Sequence, residues 1–545
     1  LGQFEALWLR YRWLVLIIAI AARLLVLYYD GTVIGPDQGF QMAATKSLME
    51  GRGITLEVFQ LDDISASSTY NLTWWPPLYS YISAPLLSLT GDFVTVLVMT
   101  VWFSTIVLYI AWFFILEQLA PLLGAVTRAA IWLYWIFISP MGSQAEFPGA
   151  TDYLSMALFS VAIACALRFI RNPDASLGWS IAGGVAMGIS GSLRYSIIPL
   201  IAVVPLAHVA LMILQRRVFG LRHLALFVAI PAVLVAVLIL PSYLDDAADP
   251  TALVGLVRPF SAMIDKASPF PVISFGVRTR WFVYSPETAL LWVLSAGVIL
   301  ACAAVLIRWL MLYRRPPFRR QADASALVFF LICGALTTAI IPAFLGFLTY
   351  RQPLEYTRTL VENTRYYIPA APFLVAVAAF GLLQRQIRPR PLYYASLVLF
   401  TVIVTLALIG ERPFFEGRFN RQPFGVRLNV DNPYWHYYHT ILDLRAQGRE
   451  VAFLSNYQPN AIKAWASLAG ASIYDSIDSA PIEQAIDTSQ PVTVVVMLWE
   501  REEMSESDLA QRDYLVAFME RGTAVLNHTL TDGRGSFEEY IVEIP

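Results

Sequence analysis

The sequence predicts a polytopic α-helical membrane protein of about eleven transmembrane helices, carrying a C-terminal extracytoplasmic α/β domain. Three observations point there. Residues 13–410 are filled with apolar segments long enough to cross a bilayer. The chain is 57% hydrophobic and 14% charged, with a mean hydropathy of +0.58, which excludes an ordinary soluble protein. Beyond residue 410 the pattern changes to short β-branched runs alternating with helical ones. The net charge of −2 names no partner, and nucleic acid is not expected.

A span needs about 20 residues to cross the hydrocarbon core. The expected spans are 13–29, 93–117, 121–139, 151–170, 178–193, 195–214, 223–240, 287–312, 324–348, 366–384 and 392–410. Segment 178–214 reads either as a hairpin or as one broken helix. With the N-terminus inside, the short inner connections carry Arg10, Arg12, Arg128, Arg168, Arg171, Arg216, Arg217, Arg222, Arg314, Arg315, Arg319, Arg320, Arg385, Arg388 and Arg390. That is the positive-inside pattern. An odd number of spans then places loops 30–92, 241–286 and 349–365 outside, together with the C-terminal domain; an even number would place that domain inside. Residues 1–410 form the membrane module and residues 411–545 the outer domain. The first apolar run is too long for a cleavable signal peptide and reads as a retained span. Basic residues are almost all Arg, which suggests a GC-rich bacterial genome and hence a bacterial inner membrane. Cys165, Cys302 and Cys333 all fall inside spans, where packing is their expected role.

The first outer loop has structure of its own. Gln38–Glu50 places Phe40, Met42, Ala43, Leu48 and Met49 along a loose helical stripe, suited to the membrane interface, and Gly51-Arg52-Gly53 stops it. Pro77–Leu89, interrupted by Pro85, is a second interfacial candidate, with Trp74 and Trp75 at headgroup depth. In the outer domain, Val451–Leu454 and Val492–Met497 read as strands, with weaker strands at Ala471–Tyr474, Ala524–Leu530 and Glu538–Ile544. Pro459–Leu468 and Glu506–Arg521 read as helices. No phosphate-cradling glycine fingerprint is present.

Candidate chemistry lies on the outer side. Asp37, just past the first span, could act as a general base whose pKa is raised near lipid; the same position also suits a helix N-cap. Glu146 and Asp152 flank the outer end of the fourth span, where an acid in lipid would cost about 2.5–3.5 kcal/mol, although Asp152 could equally cap that helix. Outer cations include Arg194, Arg258, Lys266, Arg278, Arg280, Arg351, Arg358 and Arg365. An arginine fork matches phosphate oxygens, while anionic headgroups alone would attract some of these residues. Arg194 and Arg365 each abut an apolar span. His436 and His439, near Asp431, have a spacing that could seat a metal, but no third ligand is placed; interfacial packing is the stronger reading and a divalent metal is not expected.

These motifs, in this order and on this side of the membrane, resemble one family. Pro36-Asp37-Gln38-Gly39-Phe40, followed by Ala43 and Gly51, resembles its acidic first-loop motif and interfacial helix. Trp75-Pro76-Pro77-Leu78-Tyr79 resembles its Pro-Pro-Leu element. Gly188–Arg194 is similar to a glycine-rich turn ending in Arg, and Asn363-Thr364-Arg365-Tyr366-Tyr367-Ile368-Pro369 with Pro372 to an Arg-Tyr-x-x-Pro signature. The family is the bacterial membrane glycosyltransferases of the GT-C fold, in the branch of the dolichyl-phosphate-mannose–protein mannosyltransferases and lipid A aminoarabinose transferases. The resemblance covers about residues 10–410.

It implies transfer of a sugar from a polyprenyl-phosphate donor to an acceptor hydroxyl at the outer membrane face, with inversion. Asp37 would be the base. Arg194 and Arg365, with Arg278 or Arg280, would hold the donor phosphate, and Gln38, Trp75 and Tyr366 would line the cavity. Many members carry Asp-Glu where this chain has Asp37-Gln38; Gln38 holds no negative charge, which moves weight onto Glu146 or Asp152 as a second carboxylate. The expected partners are membrane lipid, the lipid-linked sugar and an acceptor the sequence does not name. Two other classes fit the spans: a non-catalytic scaffold subunit with protein partners, and a transporter of lipid-linked sugar. Charged residues midway through spans would favour the transporter.

Overall fold

The computed structural model describes residues 2–30, 36–59, 67–72, 76–137, 150–245, 303–313, 321–348, 433–456, 460–473 and 492–544, apart from isolated positions, together with Pro369, Ala370, Phe373 and Ala376. Helix α1 (Gly2–Asp30) is followed by α2 (Pro36–Met49), strands β1 (Thr55–Phe59) and β2 (Ser67–Asn71), and α3 (Leu78–Thr90). Then come α4 (Phe93–Gln118), α5 (Ala120–Phe137), α6 (Ala150–Arg171), α7 (Gly178–Leu193), a 3-10 turn (Tyr195–Ala202), α8 (Val203–Gln215), α9 (Leu221–Asp245), α10 (Ala303–Tyr313) and α11 (Ala322–Leu348). The C-terminal part holds α12 (Pro433–Ala446), β3 (Val451–Ser455), α13 (Asn460–Ala469), β4 (Ser472–Ile473), β5 (Val492–Glu500), α14 (Glu506–Met519), β6 (Thr523–Asp532) and β7 (Gly535–Ile544). The chain divides into two compact units, Leu1–Asp30 with Val98–Phe424 and Gly31–Leu97 with Gly425–Pro545.

Among the described residues of the first unit, five helical stretches are long and apolar enough to cross a membrane: Thr95–Gln118, Thr151–Arg171, Ile197–Gln215, Leu221–Ile239 and Ala322–Ile341. Each overlies an expected span. Expected spans 13–29, 121–139 and 178–193 lie on helices α1, α5 and α7, whereas 366–384 and 392–410 lie almost wholly outside the described residues. Helices α4 and α6 run parallel: Trp112 Nε1 donates to Ser160 Oγ at 3.1 Å, and one to two turns on Gln118 Nε2 donates to the Ala164 carbonyl at 3.0 Å. Two parallel spans require the chain to cross back between them, which α5 supplies. Trp112 anchors the core, with its ring edge-on to Phe330 and Phe373 at 6.1 and 5.4 Å. Cys165 and Cys333 are buried in the same core as free thiols.

The chain from 178 to 215 is a hairpin. Ile201 Cδ1 lies 2.8 Å from where a Cβ on Gly191 would stand, whereas along a continuous helix ten residues would separate them by about 15 Å. The reversal is at Arg194, whose backbone is extended (φ −148°, ψ 124°). Helix α7 can pack so closely because its glycines face neighbours: a Cβ on Gly183 would strike Phe227 at 2.4 Å, and one on Gly188 would strike Leu234 at 2.7 Å.

Not every basic residue expected on an inner connection is solvated there. Arg128 is fully buried, 2.7 Å from Glu117 and also paired with Glu5. Arg12 reaches Glu117 at 2.6 Å, and Trp8 Nε1 donates to the same carboxylate at 2.8 Å. A left-handed glycine, Gly124 (φ 68°), breaks α5 and turns its carbonyl toward Arg128 Nε. Two acids and two bases thus tie α1, α4 and α5 together.

The second unit is built on a seven-stranded sheet of order β2-β1-β4-β3-β5-β7-β6. Strands β1, β4, β3 and β5 are mutually parallel, and β2, β7 and β6 add antiparallel edges. The hairpin β1–β2 comes from the first loop and joins the C-terminal sheet through the pairing of Val58 with Ile473. This strand pair and helix α12 had no clear signal in the sequence. Helix α2, expected at the membrane interface, is covered by protein in this unit. Gln38, Phe40, Gln41, Met42, Ala43, Ala44, Thr45 and Ser47 are all buried in protein, and α2 packs on α13. A stripe meant for lipid would keep a polar face in water; here polar and apolar positions alike are covered, and Ser47 bonds Thr55 of β1 at 2.6 Å. Contact with α13 is tight enough that a Cβ on Gly39 would lie 2.5 Å from Ala464 Cβ.

Candidate functional site

Within the membrane unit the candidate site gathers where α6 begins and α7 ends. The two helices are antiparallel neighbours, with Ser190 Oγ donating to the Ser155 carbonyl at 2.7 Å. One turn nearer the helix ends, that register brings Asp152 to Arg194. Arg194 Nε lies 2.7 Å from Asp152 Oδ1, and both side chains are more than nine-tenths buried. The local sequence explains the pairing. Asp152 lies in the first turn of α6, where helix N–H groups favour an anion, and Arg194 lies just past the last turn of α7, where carbonyls favour a cation. Two helix dipoles and a salt bridge therefore point the same way.

Hydroxyls surround this pair. Thr151 Oγ1, Ser155 Oγ and Ser192 Oγ are buried without a hydrogen-bond partner among the described residues. Buried polar atoms are nearly always satisfied by protein, water or a ligand, and the described residues supply no partner for these three.

A second buried cation comes from α1, and sequence reasoning missed it. Arg23 is 5% exposed, its Nη2 has no hydrogen-bond partner, and no carboxylate pairs with it among the described residues. It lies within electrostatic reach of the Tyr109 phenol of α4, as does Tyr153, the neighbour of Asp152 on α6. A charge this deep in a span is costly and is by default functional. The available signal was a single Arg in the otherwise apolar run Leu14–Tyr29.

In the other unit, Asp37 is the second residue of α2, inside its first turn rather than before it, so the helix starts at Pro36 as proline favours. Gln38 is buried. Gln41, one turn beyond Asp37, is 2% exposed, and its amide nitrogen and oxygen both lack partners among the described residues. Sequence reasoning passed over Gln41, a polar position within Gln38–Glu50 that is not on the apolar stripe. Trp75, Glu146, Arg278, Arg280, Arg365 and Tyr366 lie outside the described residues. Of the sequence-derived site residues, the structure thus brings Asp152 and Arg194 together.

The histidines of α12 pack. His436 stacks on His528 of β6 with ring centroids 3.6 Å apart, and His439 lies edge-on to Tyr438. Among the described residues no three metal-ligating side chains converge.

No family model matches the chain, and no curated protein matches it. Solved structures do. The chain is similar to ArnT from Cupriavidus metallidurans, crystallised bound to undecaprenyl phosphate: 15% identity, 98% of both chains covered and a TM-score of 0.51. The oligosaccharyltransferase AglB from Archaeoglobus fulgidus, in complex with an inhibitory peptide and a dolichol-phosphate, matches at 11% identity over 98% of this chain and 74% of that one, with a TM-score of 0.49. The present chain shares the GT-C fold of ArnT.

Proposed function

We propose that this protein transfers a sugar from a polyprenyl-phosphate donor to an acceptor hydroxyl at the outer face of a bacterial inner membrane, with its C-terminal α/β domain on that same side. The observation that carries the reading is the likeness to ArnT, which extends over 98% of both chains. Support from the residues is separate: two arginines, Arg23 and Arg194, are buried in the membrane unit, the second beside Asp152, and a guanidinium fork suits a phosphate-headed lipid.

In this mechanism the acceptor oxygen attacks the anomeric carbon while the bond from that carbon to the phosphate oxygen breaks. Asp37 takes the acceptor proton. The departing polyprenyl phosphate gains negative charge, which Arg194, Arg365 and Arg278 or Arg280 stabilise, with Arg23 added to that set. Gln38, Trp75 and Tyr366 line the cavity, and Glu146 remains a second carboxylate. Asp152 takes a different role from the one the sequence suggested. Bonded at 2.7 Å to Arg194, it is the counter-ion that orients this cation rather than a proton acceptor.

Arg23 also favours a second reading, since a buried cation within a span suits a transporter of lipid-linked sugar. One experiment separates the two. Purified protein is incubated with radiolabelled polyprenyl-phosphate sugars and host membrane extract, alongside Asp37→Asn. Transfer by the wild type that falls at least about a hundredfold in the variant is the expected result. Absence of transfer from every donor, with labelled lipid still bound, would overturn the transferase reading in favour of transport.

A further inference from the structure

A trough runs along the membrane unit between α4 and α6, away from Asp152 and Arg194. Its volume is about 520 Å³, within the range of roughly 300–1,000 Å³ typical of ligand clefts. Helical spacing builds it. Val107, Ile110, Ala111, Phe114 and Gln118 form one stripe on α4, and Val161, Ala164, Cys165 and Arg168 the facing stripe on α6. Ala111, Ala164 and Cys165 are small, so the floor is deep, while Phe114 and Ile110 stand as an exposed apolar wall.

The walls are apolar and one end is not. At the C-terminal ends of both helices, the trough meets Arg168 and Gln118, with Trp179 from the start of α7 beside them. Arg168 is exposed, and its guanidinium has no hydrogen-bond or ion-pair partner among the described residues; the nearby Arg171 is paired with Asp323 at 2.6 Å. Gln118 spends its amide nitrogen on the Ala164 carbonyl at 3.0 Å, and its Oε1 is buried without a partner. The trough thus ends in an exposed cation without a partner among the described residues. Trp179, 45% exposed, suits headgroup depth.

We infer that this trough is a phospholipid site, in which one acyl chain lies along the stripe and the lipid phosphate is held by Arg168. Length and charge select the occupant. From Val107 to Gln118 is eleven helical steps, about 16 Å, which matches half of a hydrocarbon core of about 30 Å, the depth of one leaflet. A polyprenyl tail far exceeds that. Arg168, exposed at the trough's end, complements the phosphate. The site is independent of the transferase reading, because Arg168 is sixteen residues along α6 from Asp152, about 24 Å.

Native mass spectrometry of the purified full-length protein tests this. Phosphatidylglycerol, diacylglycerol with the same chains, and undecaprenyl phosphate are each added to wild type, Arg168→Ala and Ala164→Leu. Wild type should retain phosphatidylglycerol about ten- to a hundredfold better than diacylglycerol, the contribution of a charged hydrogen bond. Arg168→Ala, at an exposed position, should abolish that preference, and Ala164→Leu, which fills the floor, should lower retention of both lipids. Equal retention of the two by wild type, or a preference that survives Arg168→Ala, overturns the assignment. Displacement of phosphatidylglycerol by undecaprenyl phosphate at equal or lower concentration would make the occupant a polyprenyl lipid and overturn it too. Transfer activity, measured in parallel, should be unchanged in Arg168→Ala.

Discussion

Two fully enclosed arginines of the membrane unit make opposite demands on their surroundings, and substitution separates them. Arg128 is answered by Glu5 and Glu117. Replacing it with Met leaves Glu117 to Arg12 and Trp8 and the part-exposed Glu5 to water, a loss of about 1–3 kcal/mol. The expected outcome is a fall in the melting temperature of detergent-purified Arg128→Met; an unchanged melting temperature would remove the network from the stability argument. Arg23 has no such answer among the described residues. Arg23→Met therefore removes an uncompensated charge and should leave the melting temperature equal or higher. Its cost should appear in function instead, as affinity for polyprenyl phosphate about tenfold or more weaker, the size of a charged hydrogen bond. Donor lipid binding as tight as in wild type would place Arg23 outside the site. From the sequence alone neither role was readable: Arg128 looked like an inner-loop charge, and Arg23 was passed over within its span.

At the scale of elements, the spans were legible because about twenty apolar residues in a row have few alternatives. The second helix was legible as a helix, but the neighbour it packs against was not. Phe40, Met42 and Ala43 are as compatible with lipid as with a protein neighbour, and what decides is the partner helix α13, more than four hundred residues further along the chain. Gly39 is the residue that lets the two meet. Gly39→Val would drive its side chain into Ala464 and should destabilise this unit by about 1–3 kcal/mol, as overpacking does. Ala464→Gly should restore part of the loss, and unaltered unfolding of Gly39→Val would show that α2 and α13 can part freely. The pair α12 and β6 makes a different prediction. Burial, then the neighbouring His436, push the His528 imidazole below its ordinary value of 6.5, against a smaller upward pull from Glu539. A histidine lowered in the folded state binds its proton more readily when unfolded. Its stabilising contribution is therefore present above pH 6.5 and is lost as pH falls from there through the lowered folded value. Thermal unfolding of the second unit should decline across that window in wild type and decline less in His528→Gln; parallel profiles would discount the histidine stack.

For the molecule as a whole, chain order and structural order disagree. A boundary near residue 410 separates apolar sequence from polar sequence, and composition shows nothing else. Contacts place 31–97 with the C-terminal residues, through the pairing of Val58 with Ile473 and the packing of α2 on α13. Composition could not reveal this, because β1 and β2 are five-residue strands and β4, the partner of β1 in the C-terminal sheet, has two residues. Short pairings between distant segments leave no periodic trace. The same arrangement means that the acidic first-loop motif is carried on the sheet unit itself, since α2 bears Asp37 and is covered by α13. A fragment of residues 411–545 would leave β4 as an open edge and uncover Ala464 and its neighbours on α13, an exposed strand edge beside an apolar face, which promotes aggregation. The expected result is an insoluble or poorly folded fragment. Joining 31–97 to it through a flexible linker should restore a soluble, cooperatively melting domain, read by circular dichroism and light scattering. A fragment that folds equally well without 31–97 would show that the first loop only docks on a finished domain; rescue by the loop would show that it is part of the domain's fold.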